Sequence, residues 1–354
     1  MNVTLYQQNV ELERPVRASG QDHRQRTRLF LRVEDEGVAG FGEVAPQPFA
    51  LNGDPGLGEV LEVLDATVAL VGAIARREGA LPPWARMGRL SNASPARNVA
   101  CALVEMALLD RELRVTSTLI EELWTPLFKT PSQVTVSLLD AETDWLTEGA
   151  TRVRVKSAPG DVSSRALERL RALRVPVIID FNCSATSDED VLEQVTVIGR
   201  VATIDAVEQP FGVGNLVDHA RLATRLDVPL SLDESVRSLR DLTHIANYEA
   251  AAMICVKPAR VGGLSSARAL IARASELGLR TYLGGFFESP YARGVHRGLA
   301  NSCVSEPSDL DNVAVGLGDE GTEISSVSSS FGFEPSMRVL ASAECRPISA
   351  EIQS

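Results

Sequence analysis

The chain has 354 residues, of which 44% are hydrophobic and 23% charged, and a formal net charge of −12. That is enough chain for one large domain, or a large domain with a smaller companion, around a sizeable core. The negative balance, with no interleaving of aromatic and basic residues, excludes a general nucleic-acid surface, which needs a basic footprint.

The first fifteen residues, MNVTLYQQNVELERP, lack the apolar segment of a secretion signal. The longest apolar run, ATVALVGAIA at 66–75, is too short to span a bilayer. Five scattered cysteines without a CxxC pair fit a reduced protein with no structural zinc site. The expected location is therefore the cytoplasm, with no membrane partner.

In chain order, RTRLFLRVED (26–35) alternates as a strand, EG turns, and VAGFGEVAP (38–46) returns as the second arm of a hairpin. A helix is expected from Leu57 to Arg77. Another should start at Ser94 as N-cap, with Pro95 in the first helical position. From residue 134 short β-branched runs alternate with helical stretches: 134–139, 152–156, 175–180, 204–209, 228–233, 251–257, 279–285 and 311–316. Strand alternating with helix at this interval predicts βαβ units and a parallel sheet. About eight strands, without GxGxxG after the first, favour a closed barrel over a doubly wound sheet.

Five successive runs end in an ionisable residue: Lys156, Asp180, Glu208, Asp233 and Lys257. Their separations of 24, 28, 25 and 24 residues are one strand-helix unit each. Any one of them reads as a solvated loop charge, but five in phase with the strands converge on the C-terminal mouth of a barrel. Three carboxylates on neighbouring strands repel one another and call for a cation. Oxygen donors without His or Cys select a hard ion, Mg²⁺. All four histidines fall away from the strand ends. A metal-bound carboxylate beside a lysine of lowered pKa suits removal of the proton next to that carboxylate. Arg154, Lys156, Lys257 and a divalent ion would together balance the three carboxylates and a dianionic substrate.

RVRVK, IIDFN, VEQP, SLDES and CVKPARVGGL resemble the enolase superfamily, specifically its muconate-lactonising subgroup. GGFFESPYARGVHRGLA is similar to the seventh-strand segment of o-succinylbenzoate synthases and N-succinylamino-acid racemases, and AGFGEVAP to the strand leading into their mobile specificity loop, here PQPFALNGDP. The resemblance implies a modified TIM barrel, (β/α)₇β, under an α+β capping domain. The cap would comprise residues 1–95 with the tail from about 320 to 354, and the barrel residues 96–319. It implies Mg²⁺ on Asp180, Glu208 and Asp233, with Lys156 and Lys257 on opposite faces of a small carboxylate substrate. The implied reaction is a lyase step of the o-succinylbenzoate synthase type in menaquinone biosynthesis. The alternatives are racemisation of N-succinylamino acids, dipeptide epimerisation and muconate-type cycloisomerisation.

Departures from the pattern stand out. The first lysine of the family's Lys-x-Lys pair is Arg154, which holds a carboxylate but is not a base. Substrate contacts are expected from Arg154, Phe49 on the capping loop, Gly285 and Glu288. Phe286 and Phe287 read as core, and Glu234 as facing away from Asp233 by strand parity. A Schiff-base aldolase using either lysine, and a non-catalytic barrel, are the readings from other classes. The exact substrate is not spelled out, and the sequence leaves a homo-oligomer open.

Overall fold

The structure is a computed structural model that describes residues 1–354 except 19–20, 92–93, 124–134, 139–150, 161–163, 311–321, 325–330, 332 and 350–354. Two sheets organise it. β1 (Asn2–Ala18), β2 (Gln21–Asp35) and β3 (Val38–Val44) form an antiparallel meander. β4 (Thr135–Leu138), β5 (Arg152–Lys156), β6 (Val177–Asp180), β7 (Ile204–Glu208), β8 (Leu230–Leu232), β9 (Met253–Val256) and β10 (Arg280–Leu283) lie in sequence order in a parallel sheet. Beyond them, β11 (Thr322–Ile324) pairs with β12 (Phe333–Pro335), and β13 (Glu344–Ile348) joins the first sheet beside β1.

The alternation in β2 has a direct outcome. Leu29, Leu31 and Val33 point into a core with Val60, Leu64 and Val68 of α1 (Leu57–Glu78) and Val99 and Leu103 of α2 (Pro95–Thr116). Phe30 points the other way, into the large core shared with the parallel sheet. Helix α2 begins at Ser94, whose hydroxyl accepts from the Arg97 amide at 3.1 Å. Its Met106, Leu109 and Leu113 belong to the larger core, so one helix serves both layers. Gly40 and Gly42 let β3 lie directly on α2, because a Cβ at either would collide with the α2 backbone.

In the parallel sheet Val153, Val155, Val177 and Ile179 pack outward, in the core that contains helix residues such as Val191, Ile198 and Leu270. Ile178, Ala206, Met253, Cys255 and Tyr282 form a separate buried cluster on the other face, the interior of the curl. β10 ends in a parallel bridge between Gly284 and Asp309. The eighth strand expected at 311–316 lies outside the described residues. The fold is thus a curled parallel α/β sheet with an antiparallel sheet attached.

Candidate active site

Register brings the strand-end residues together. Lys156 lies opposite Asp180 across β5–β6, and Asp180 opposite Glu208 across β6–β7. Asp233 and Lys257 immediately follow β8 and β9. All five side chains are largely withdrawn from solvent, the carboxylates completely.

The Lys156 amine sits 2.6 Å from Asp180 Oδ2 and also donates to Asn182 Oδ1. The Lys257 amine lies 2.9 Å from Asp233 Oδ2. Arg154 places Nη1 2.8 Å from Glu208 Oε1 and 3.5 Å from Asp180 Oδ2, while Nη2 pairs with Asp309. The guanidinium expected to meet substrate is thus engaged by three carboxylates. Tyr282 donates its hydroxyl to Glu208 Oε2 at 2.6 Å.

Crowding of acids sets the electrostatics. Burial, then repulsion from Asp180, pushes Glu208 up to about 7 against the pull of Arg154. Burial also opposes ionisation of Asp233, but Arg260, Lys257 and Arg154 override it and hold the carboxyl well below its usual range. Burial would lower the Lys257 ammonium; the Asp233 carboxylate reverses this and the net shift is upward.

Glu234 corrects a parity argument. β8 ends at Leu232 and the chain turns at Asp233, so Glu234 is not on the far face of a strand. It is buried, accepts from Asn182 Nδ2 at 3.2 Å, and is pushed up to about 7 by burial and by Asp233 and Asp180.

Glu208, Asp233 and Cys255 each offer one atom within 4.8 Å of the others, a spacing that suits one ion. Burial and the nearby acids raise the Cys255 thiol far above its usual value, so it stays protonated and soft. Asp233 Oδ2 is buried without a hydrogen bond, its contact being the ion pair with Lys257. An oxygen-rich, over-acidic cluster with such an oxygen fits a hard divalent cation better than a soft one.

A loop of the first layer covers this cluster. Arg237 donates to the Gly53 carbonyl at 2.8 Å and to that of Asn52, and Asn52 donates to the Asn182 carbonyl at 3.2 Å. Phe49, on the same loop, is 47% exposed. From the sheet side, Phe286 lays its ring 4.6 Å from the Lys257 amine. It belongs to the core that includes Leu29, Leu31 and Val60, in keeping with its reading as a core residue, and is also a wall beside that lysine. Gly285 leaves room for the Glu288 carboxylate, which turns inward and accepts from the Phe286 amide at 2.7 Å. Glu288 is buried rather than a solvated loop acid.

Sequence reasoning did not single out Asn182, Tyr282, Arg260 or Asp54. Arg260 was within reach: Lys257 caps the short helix Pro258–Val261, so a residue three further on returns to the same mouth. Cys255, two residues before Lys257, shares its strand face by the same parity that places the valines of β5.

Residues 138–311, which include all five strand-end residues, match the family model described as enolase C-terminal domain-like. The chain belongs to the enolase superfamily. An o-succinylbenzoate synthase from Enterococcus faecalis is 34% identical over 161 residues, 45% of this chain and 42% of the relative. An N-succinylamino acid racemase from Amycolatopsis is 31% identical over 57% of each chain. These two alignments span less than two thirds of the relatives' length. The o-succinylbenzoate synthase of Bacillus subtilis is 26% identical over 84% of this chain and 81% of its own. An enolase-superfamily structure from Listeria innocua superposes with a TM-score of 0.82 over 99% of both chains at 22% identity, a likeness of fold. No described helix is long and apolar enough to cross a membrane.

Proposed function

We propose that this enolase-superfamily protein is a Mg²⁺-dependent lyase that removes the proton next to a substrate carboxylate and eliminates water. The reaction would be of the o-succinylbenzoate synthase type, serving menaquinone biosynthesis in the cytoplasm. The observation that carries this reading is that two lysines border one acidic cluster, Lys156 against Asp180 and Lys257 against Asp233.

In this reading Asp180, Glu208 and Asp233 hold the ion, which would offset charge gathering on the substrate carboxylate as the proton leaves. Lys156 takes the α-proton and returns it to the departing hydroxyl. Lys257, as an ammonium, faces the developing anion from the other side. The loop Asn52–Asp54 and Phe286 exclude water. The capping unit of residues 1–95 and 320–354 would choose the substrate over a barrel of residues 96–319.

The same pair of amines favours a second reading, racemisation of N-succinylamino acids, in which each lysine serves one face of the α-carbon. The test is turnover, and α-proton exchange in D₂O, with the cyclohexadiene precursor of o-succinylbenzoate and with both enantiomers of an N-succinylamino acid, with and without Mg²⁺. Dehydration abolished by Lys156→Ala supports the lyase. Exchange lost for one enantiomer in Lys257→Ala supports the racemase. Absence of any Mg²⁺-dependent reaction sinks both.

A further inference from the structure

The seam between the antiparallel sheet and the helix Pro290–Cys303 buries more positive charge than it pairs. On β2, Arg26 and Arg28 share the face of Phe30, which belongs to the same core as Tyr291 of that helix. Arg293 enters from the helix. The three are 2%, 4% and 5% exposed. Arg26 has one hydrogen bond, from Nη1 to Gln47 Oε1 at 2.7 Å, and lies 4.7 Å over the Phe287 ring. Its Nε, together with Nε and Nη2 of Arg28 and Nε and Nη1 of Arg293, has no hydrogen-bond partner among the described residues. Nδ1 of His296, 2% exposed and next to Arg293 in the field, is also unpartnered.

Three carboxylates act on these cations: Glu288 on all three arginines, Asp309 on Arg293, and Glu43 on Arg28 and Arg293. None of them forms an ion pair with these arginines among the described residues, and Asp309 pairs with Arg154. Glu43 accepts from the Ser289 amide at 2.6 Å, from the Ser289 hydroxyl and from the Ala292 amide at 3.2 Å, closing the start of the helix. Glu288 Oε2 accepts from the Phe286 amide. Five guanidinium nitrogens are thus held out of water with no acceptor among the described residues.

We propose that Arg26, Arg28 and Arg293 form a buried binding site for a small monovalent anion, of carboxylate or halide character, at this seam. Such an anion accepts from the orphaned nitrogens through charge-assisted hydrogen bonds, which are stronger than those a neutral water accepts. Burial supports the need: it draws Arg26 and Arg293 down to about 10 and lowers Arg28 as well. The segment Gly284–Glu288 runs from beside Lys257 to this seam, so the anion is either a free ion or the far carboxylate of a molecule held at the mouth.

The test uses the full chain. Crystals grown in bromide should show an anomalous peak in contact with the Arg28 and Arg293 guanidinium groups. The wild-type melting temperature should rise saturably with bromide, by several degrees, and the rise should be lost in Arg28→Met. To separate the two sources, a dicarboxylate competitor is compared with its monomethyl ester. Displacement of bromide by the diacid, with a tenfold or greater loss of diacid affinity in Arg28→Met, assigns the site to the far carboxylate. Bromide retained beside bound diacid assigns it to a free anion. The diacid comparison rests on the carboxylate chemistry proposed above, and the bromide measurements do not, so the two fail separately. Water alone at the seam, with the same melting response in wild type and Arg28→Met, overturns the site.

Discussion

Asp54 and Asp233 share one guanidinium, that of Arg260. Its Nε and Nη2 lie 2.8 and 2.7 Å from the two oxygens of Asp54, and its Nη1 lies 2.5 Å from Asp233 Oδ1. A loop of the first layer is thereby tied to a carboxylate of the barrel mouth, with every partner buried. In Asp54→Asn the side chain keeps its shape and loses its charge, so Arg260 keeps only the Asp233 half of its pairing. The expected loss is about 2–4 kcal/mol of stability. With the loop Asn52–Asp54 loosened, KM should rise more than kcat falls. Steady-state kinetics beside denaturant unfolding check this, and an unchanged KM would count against a role for the tie in closing the site.

Arg154 reaches Glu208, Asp180 and Asp309 at once. A lysine has the charge but not the fork, so Arg154→Lys should leave part of this acidic set uncompensated. We expect a loss of about 1–3 kcal/mol in the absence of metal. Saturating Mg²⁺ should shrink it, because the ion takes over the carboxylates. Unfolding with EDTA and with Mg²⁺ gives the two values; an equal loss under both conditions argues that Arg154 and the metal ligands are independent.

The five strand-end residues were legible because a parallel barrel repeats strand and helix at a nearly constant interval and puts every strand terminus at one mouth. Arg260 and Asp54 were harder, since their contact joins positions 206 residues apart and depends on how one layer sits on the other. Glu234 was misread because parity holds only while the strand lasts, and β8 is three residues long. The burial of Glu288 follows from Gly285, whose missing Cβ makes space for it, a relation that sequence patterning does not encode.

Glu208 and Glu234 give the metal-free protein a signature in pH. Each is raised from the usual carboxylate value to about 7, chiefly by burial. A carboxyl whose folded pKa is raised contributes stability at acidic pH and loses it as pH climbs through the window up to about 7. With EDTA the melting temperature should therefore fall between about pH 4.5 and 7. Mg²⁺ on Glu208 and Asp233 favours the ionised forms and should flatten that fall. A slope unaffected by Mg²⁺ would show that these acids are not the ion's ligands.

A further buried acid, outside the carboxylate cluster of the mouth, provides a cleaner titration. Glu105 of α2 receives the amides of Leu264 and Ser265 and the Ser265 hydroxyl at the start of the helix Leu264–Glu276. It fits beneath Gly263, whose φ of +123° and missing Cβ leave space for the carboxylate. Burial raises it to about 8, only partly offset by hydrogen bonds from Ser265 and Leu264. The fold therefore prefers the protonated form, and stability is lost as pH rises from about 4.5 to about 8. In Glu105→Gln, which keeps an acceptor and cannot ionise, that contribution disappears. The gap between wild type and variant should close toward alkaline pH by up to about 1.4 kcal/mol per pH unit. Denaturant unfolding of both proteins at acidic, neutral and alkaline pH measures the gap. A constant difference would mean that Glu105 is already ionised throughout and that the helix start stabilises its charge.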